Sequence, residues 1–144
     1  MAKKTDLPTT SGRELAIIFI LVYILNAVVI YLAHLILPHQ IVLGAKDIPL
    51  LWALKQSAIY TAILDMLAIP VMEYVQQLQG KVLTSNAWMI AYLIVNFAGL
   101  WALSRYSNLI GLGISAWWVV LILAAILDFL QGAVIMATMK VVKK

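Results

Sequence analysis

Residues 15–37 read LAIIFILVYILNAVVIYLAHLIL. This stretch decides the fold. A hydrocarbon core about 30 Å thick needs about 20 helical residues at 1.5 Å each, and the run from Leu15 to Leu37 meets that length without a charged residue. It is opened by Thr10-Ser11-Gly12 and closed by Pro38. It is too long for a signal-peptide core, and no small-residue cleavage site follows it, so it is expected to stay as a membrane anchor. Its one polar intruder near the middle is Asn26.

Three further apolar spans follow the same rule: about Pro49 to Tyr74, Ala87 to Arg105, and Ile114 to Met139. Asn86 or Ser85 is the expected N-cap of the third. The second ends in the polar run Gln76-Gln77-Leu78-Gln79-Gly80. The composition agrees. Of 144 residues, 65% are hydrophobic and 11% charged, with a mean hydropathy of +1.01. Soluble domains run at about 45–50% apolar and about 25% charged. The expected class is therefore all-α: a polytopic helical membrane protein with four transmembrane helices. Helices are the expected spanning form because each backbone group must find its partner within the segment.

The chain has no cysteine, which removes disulfides, thiolate metal sites and cysteine nucleophiles. The net charge of +4 sits mainly at the ends, where it reads as a topology signal and not as a nucleic-acid surface. With the N-terminus inside, the inner segments hold Lys3, Lys4, Arg13, Lys81, Lys140, Lys143 and Lys144, against Lys46, Lys55 and Arg105 outside. Both termini are expected to be cytoplasmic in a multi-pass protein of the cell membrane. The organisation is then a cytoplasmic segment 1–14, a four-helix domain 15–139, and a basic tail 140–144. Trp52, Trp88, Trp101, Trp117 and Trp118 lie toward span ends, where an interfacial aromatic belt places them.

Residues 62–66 read AILDM and residues 125–129 read AILDF. Extended to 62–72 and 125–135, the two segments share Ala, Ile, Leu, Asp, Leu and Val in register. The preceding spans match more faintly, with Tyr23 before Asn26 and Tyr92 before Asn96. The expected arrangement is two parallel hairpin repeats, about 15–79 and 86–139, related by an axis along the membrane normal. The spacing difference falls in the outer loops, Pro38–Ile48 against Ser107–Gly113.

An Asp at the centre of a spanning helix costs about 2.5–3.5 kcal/mol, so Asp65 and Asp128 must face protein or water. Ser57, Thr61 and Asp65 recur at i+4 beside Ala58, Ala62 and Ala68. Ala124, Asp128, Gln131 and Gly132 share a face of the last span. Small residues beside polar ones allow helices to approach closely, and Asn96 with Gly99 fits that pattern. Pro70 removes the hydrogen bond to the Met66 carbonyl, which predicts a kink. The candidate polar core is Asp65, Asp128, Asn26, Asn96, Thr61 and Gln131, with Pro70, Gly99 and Gly132 as packing or kink positions. These acids either line a water-filled path or cation site, or hold the helices together by hydrogen bonds. His34 and His39 stand at i+5, a poor metal-ligand spacing. No HExxH, GxSxG, phosphate-loop or dinucleotide signature occurs, and neither enzyme, metal nor cofactor is expected.

The segments LNAVVIYLAHLILPHQIVLG (25–44) and ALKQSAIYTAILDMLAIPVMEY (53–74) resemble the four-helix membrane proteins grouped as phage holin superfamily IV. The likeness lies in Asn26, Pro38, the Ile41–Gly44 loop and Pro70, and in Asn96 within residues 93–130. The chain differs in carrying Asp65 near a place where that family more often has Asn, and Pro38-His39 where it has Pro-Gly. The resemblance implies a four-helix hairpin duplication and a holin-like role. The expected function is a small homo-oligomeric pore or channel in the lipid bilayer, assembled through polar and small helix faces. The alternatives are a proton- or cation-coupled carrier and a non-transporting scaffold subunit.

Overall fold

A computed structural model describes residues 9–142 of the chain. The charges expected of Lys3, Lys4, Lys143 and Lys144 lie outside the described residues. The element order is α1 (Gly12–Ile36), β1 (Ile41–Leu43), α2 (Leu50–Gln79), α3 (Ser85–Arg105), α4 (Ser107–Ile110), β2 (Leu112–Ile114) and α5 (Trp117–Val142). Helices α1, α2, α3 and α5 are each long and apolar enough to cross a membrane. They pack in a ring, α1 on α2, α2 on α3, α3 on α5 and α5 back on α1. An even number of antiparallel helices brings the two described chain ends to one end of the bundle, beside the α2–α3 turn.

Local chemistry fixes the helix ends. Ser11 caps α1 through a reciprocal box: its hydroxyl accepts from the Glu14 amide (3.3 Å), and its own amide donates to the Glu14 carboxylate (2.9 Å). Gly80 ends α2 in the left-handed region at φ 66°. The cap of α3 is Thr84, whose hydroxyl accepts from the Ala87 amide. The sequence expectation of Asn86 or Ser85 is thus off by one or two residues. Threonine offers the same acceptor oxygen, and the chain turns helical sooner. Helix α2 runs on through Pro70.

The last span also starts later than expected. Ile114 belongs to β2, and α5 begins at Trp117. β1 and β2 pair antiparallel, with Ile41 opposite Ile114, Val42 opposite Gly113 and Leu43 opposite Leu112. The Gly44 amide donates to the Gly111 carbonyl (2.8 Å) and the Ser115 amide to the Gln40 carbonyl (2.9 Å). The Ser115 hydroxyl donates to the Gln40 side-chain carbonyl. The period-2 pleat turns Ile41, Leu43, Leu112 and Ile114 into the bundle. There they join Ile30, Ala53, Leu100, Val120 and Leu123 in one apolar cluster. This plug seals the strand end of the bundle.

The outer surface is the reverse of a soluble protein's. Ile20, Ile24, Val28 and Leu32 on α1, and Ile122, Ile126 and Phe129 on α5, are exposed. Asn26, Thr61, Asp65, Asn96 and Gln131 are buried. An apolar exterior around a polar interior is what lipid as the outer solvent requires.

Candidate functional site

All four long helices contribute to one polar layer. Asn26 on α1 and Asp65 on α2 are fully buried at 0% exposure, with Thr61 at 2%, Asn96 at 2% and Gln131 at 1%. The i+4 spacing sets Ser57, Thr61 and Asp65 on one buried face of α2; Thr61 and Asp65 join the layer, while the Ser57 hydroxyl donates back to the Ala53 carbonyl (2.7 Å). Ala58 and Ala62 beside them are also buried and leave room for the neighbouring helix.

Gln131 is the hub. Its amide nitrogen Nε2 donates to Asn26 Oδ1 (2.8 Å) and Asp65 Oδ2 (2.9 Å), with a longer approach to Asn96 Oδ1 (3.5 Å). Its oxygen Oε1 accepts from Asn96 Nδ2 (2.8 Å). Asn26 Nδ2 donates to Thr61 Oγ1 (3.0 Å) and to Asp65 Oδ2 (3.3 Å). The Thr61 hydroxyl in turn donates to the Ser57 carbonyl at 2.8 Å. A single glutamine therefore ties α5 to α1, α2 and α3. Asp65 Oδ2 is shared by two donors, while Oδ1 is buried without a partner.

Asp128 stands apart from this layer, since none of these bonds involves it. It is 7% exposed and lines a cavity of about 270 Å³. The cavity is walled by Ile18 of α1, Ile69 of α2, Trp88 and Tyr92 of α3, and Asp128 and Ile135 of α5. Along α5 the lining runs from Asp128 to Met139, about 16 Å at 1.5 Å per residue, toward the α2–α3 turn. Met89 and Met136 at its rim are exposed. Trp88 and Tyr92 stack with centroids 6.0 Å apart, and the Tyr92 hydroxyl is buried without a partner. Thr10 also lines the cavity, and both its amide and its hydroxyl donate to Glu73 Oε1 at 2.6 Å.

The bonding does not follow the AILD register. Asn26 pairs with Thr61 and Asn96 with Gln131, each 35 residues away. Asp65 binds Asn26, whereas the second Asn meets Gln131 in place of Asp128. Asp128 and Gln131 are one helical turn apart, and only Gln131 reaches the bundle centre. Gly99 does sit in a close helix contact: a Cβ there would come 2.7 Å from Leu64 Cδ1. Gly132 does not, since a Cβ there would meet nothing within 4 Å, and it borders the cavity.

His34 Nδ1 lies 2.8 Å from the Ile41 carbonyl, which fastens α1 to β1, and His39 is exposed. Among the described residues no group of three His, Cys, Asp or Glu comes together to hold a metal ion. In the sequence Tyr92 stands out only as the counterpart of Tyr23 ahead of a mid-span Asn. An aromatic on an apolar helix carries no sign of which neighbours its hydroxyl will meet. Comparison with protein-family models, curated proteins and solved structures finds no match for this chain.

Proposed function

We propose that this protein is a small membrane carrier that moves a cation or proton through a single four-helix bundle. The observation that supports this most is the joining of three features along one axis: a plug of Ile41, Leu43, Leu112 and Ile114, a polar layer centred on Gln131 and Asp65, and an Asp128-lined cavity toward the other end. A site sealed on one side and approachable from the other is one half of an alternating-access cycle. Asp65 Oδ1, buried and unpartnered, is the place for a coupling proton, and Asp128 is the carboxylate that lines the cavity a cation would enter. Intramembrane carboxylates serve such relays.

A holin-like oligomeric pore would draw on polar faces turned outward toward neighbouring chains. Here those side chains bond to one another inside one chain, so the carrier reading needs less rearrangement. A scaffold role accounts for the self-bonded layer and leaves Asp128 without a purpose. Lys81 and the basic ends favour both termini, and the mouth of the cavity, on the cytoplasmic side of the cell membrane.

The test is flux in proteoliposomes with a pH-sensitive dye trapped inside and an imposed cation gradient. Wild-type protein should dissipate the gradient, and Asp65→Asn with Asp128→Asn should reduce the rate to that of empty liposomes. Undiminished flux in the double variant would remove the carboxylates from the mechanism, and no flux in the wild type would favour the scaffold.

A further inference from the structure

We infer that the Asp128 cavity is a binding site for an organic cation: one protonated amine on an apolar or aromatic body. The inference deepens the carrier reading by naming its substrate class, and it rests on that reading for transport though not for binding.

The sign comes from the lining. Among the described residues, Asp128 is the only Asp, Glu, Lys, Arg or His that lines the cavity. At the mouth, Thr10 is held by the carboxylate of Glu73, a second acid on the approach. A carboxylate 7% exposed among apolar side chains favours a cation beside it, because a buried charge needs a partner. An anion or a neutral lipid tail would leave it alone.

The body of the ligand comes from the walls. Ile18, Ile69, Ile135 and Met139 are apolar, and thioether side chains adapt to irregular shapes. Trp88 and Tyr92, stacked on each other, both line the cavity and give it aromatic surface for an aromatic group or for the cation itself. The volume, about 270 Å³, lies just below the usual range for small-molecule sites, roughly 300–1,000 Å³. That admits a compact molecule and excludes a whole phospholipid. The unpartnered Tyr92 hydroxyl, on a residue 6% exposed, is a second polar point that a bare acyl chain would leave unmet.

The experiment is equilibrium binding of tritiated 4-phenylbutylamine to the full chain in lipid nanodiscs, with empty nanodiscs subtracted. Unlabelled 4-phenylbutanol and 4-phenylbutyrate serve as competitors of the same body with neutral and negative heads. Saturable binding is expected, with both competitors weaker than the unlabelled amine by about ten-fold or more. Asp128→Asn should weaken the amine by about ten-fold or more. Gly132→Leu retains Asp128 and fills the cavity from a position with open space, and it should weaken binding to a similar degree. This second variant keeps the test decisive where Asp128→Asn disturbs folding. No saturable binding, equal competition by the alcohol or the acid, or wild-type binding by Gly132→Leu would each overturn the inference. Because binding is read without flux, amine binding with no transport would refute the carrier alone. Cation flux with no amine binding would refute this site alone.

Discussion

Gln131 is the residue whose removal the bundle should feel most. Substitution by Leu keeps the size and deletes both the donor and the acceptor. Three bonds of good geometry go: to Asn26 (2.8 Å), Asp65 (2.9 Å) and from Asn96 (2.8 Å). The 3.5 Å approach to Asn96 Oδ1 is too long to add much. Interhelical hydrogen bonds in membranes average about 0.6 kcal/mol and reach about 1.7, so three of them give a loss of about 2 kcal/mol, with about 5 as the ceiling. Leu adds no compensating contact with water-like solvent, since Gln131 is 1% exposed and already packed. The assay is reversible unfolding in bicelles by steric trapping, with Phe129→Leu, at a 69% exposed position on the outer face of α5, as the reference. A change for Gln131→Leu no larger than that of Phe129→Leu would refute the claim that this side chain ties four helices together.

Substitutions at three other places probe the frame around the site. Gly111→Ala should destabilise by about 2 kcal/mol or more in the same unfolding assay. Its φ of +87° is strained for an L residue, and its Cβ would lie 2.6 Å from Ala53 Cβ. Gly99→Ala should change stability by no more than about 1 kcal/mol, because the obstructing Leu64 Cδ1 is the mobile end of a side chain. Gly99→Leu should cost about 1–3 kcal/mol, partly recovered by adding Leu64→Ala, and a double variant with no recovery would contradict the contact. Val42→Cys with Gly113→Cys, in a chain with no native cysteine, should form an internal disulfide. Opposed Cα atoms in an antiparallel pair lie about 4.5–5.5 Å apart, within disulfide reach. Proteolysis between α2 and α3 followed by non-reducing electrophoresis would show the halves held together, and separated halves would refute the strand pairing.

The four spans were legible because lipid imposes a length and an apolar exterior that hydropathy reads directly. The buried polar face of α2 was legible as well: Ser57, Thr61 and Asp65 cannot face lipid cheaply, and their spacing gives one direction. The strand pair was not. Ile41–Leu43 and Leu112–Ile114 are three-residue apolar runs in separate loops, and nothing local distinguishes them from lipid-facing chain. The two Asp residues share a sequence context and still differ in surroundings. That difference depends on helix rotation of a fraction of a turn, which sends Gln131 to the centre and Asp128 to the cavity. The cavity itself depends on where Ile18, Tyr92 and Met139 from three helices meet, and no single segment records that.

In the proposed carrier, transport runs through one bundle and its two carboxylates. The most direct measurement is the initial rate of cation-driven flux in proteoliposomes as a function of protein density, down to less than one chain per vesicle on average, for wild type and for Asp128→Asn. A carrier within one chain predicts a rate proportional to the number of chains, saturable in substrate, and abolished by Asp128→Asn. A rate rising with a power of protein density, unsaturable and indifferent to Asp128→Asn, would contradict it and return the function to an assembled pore.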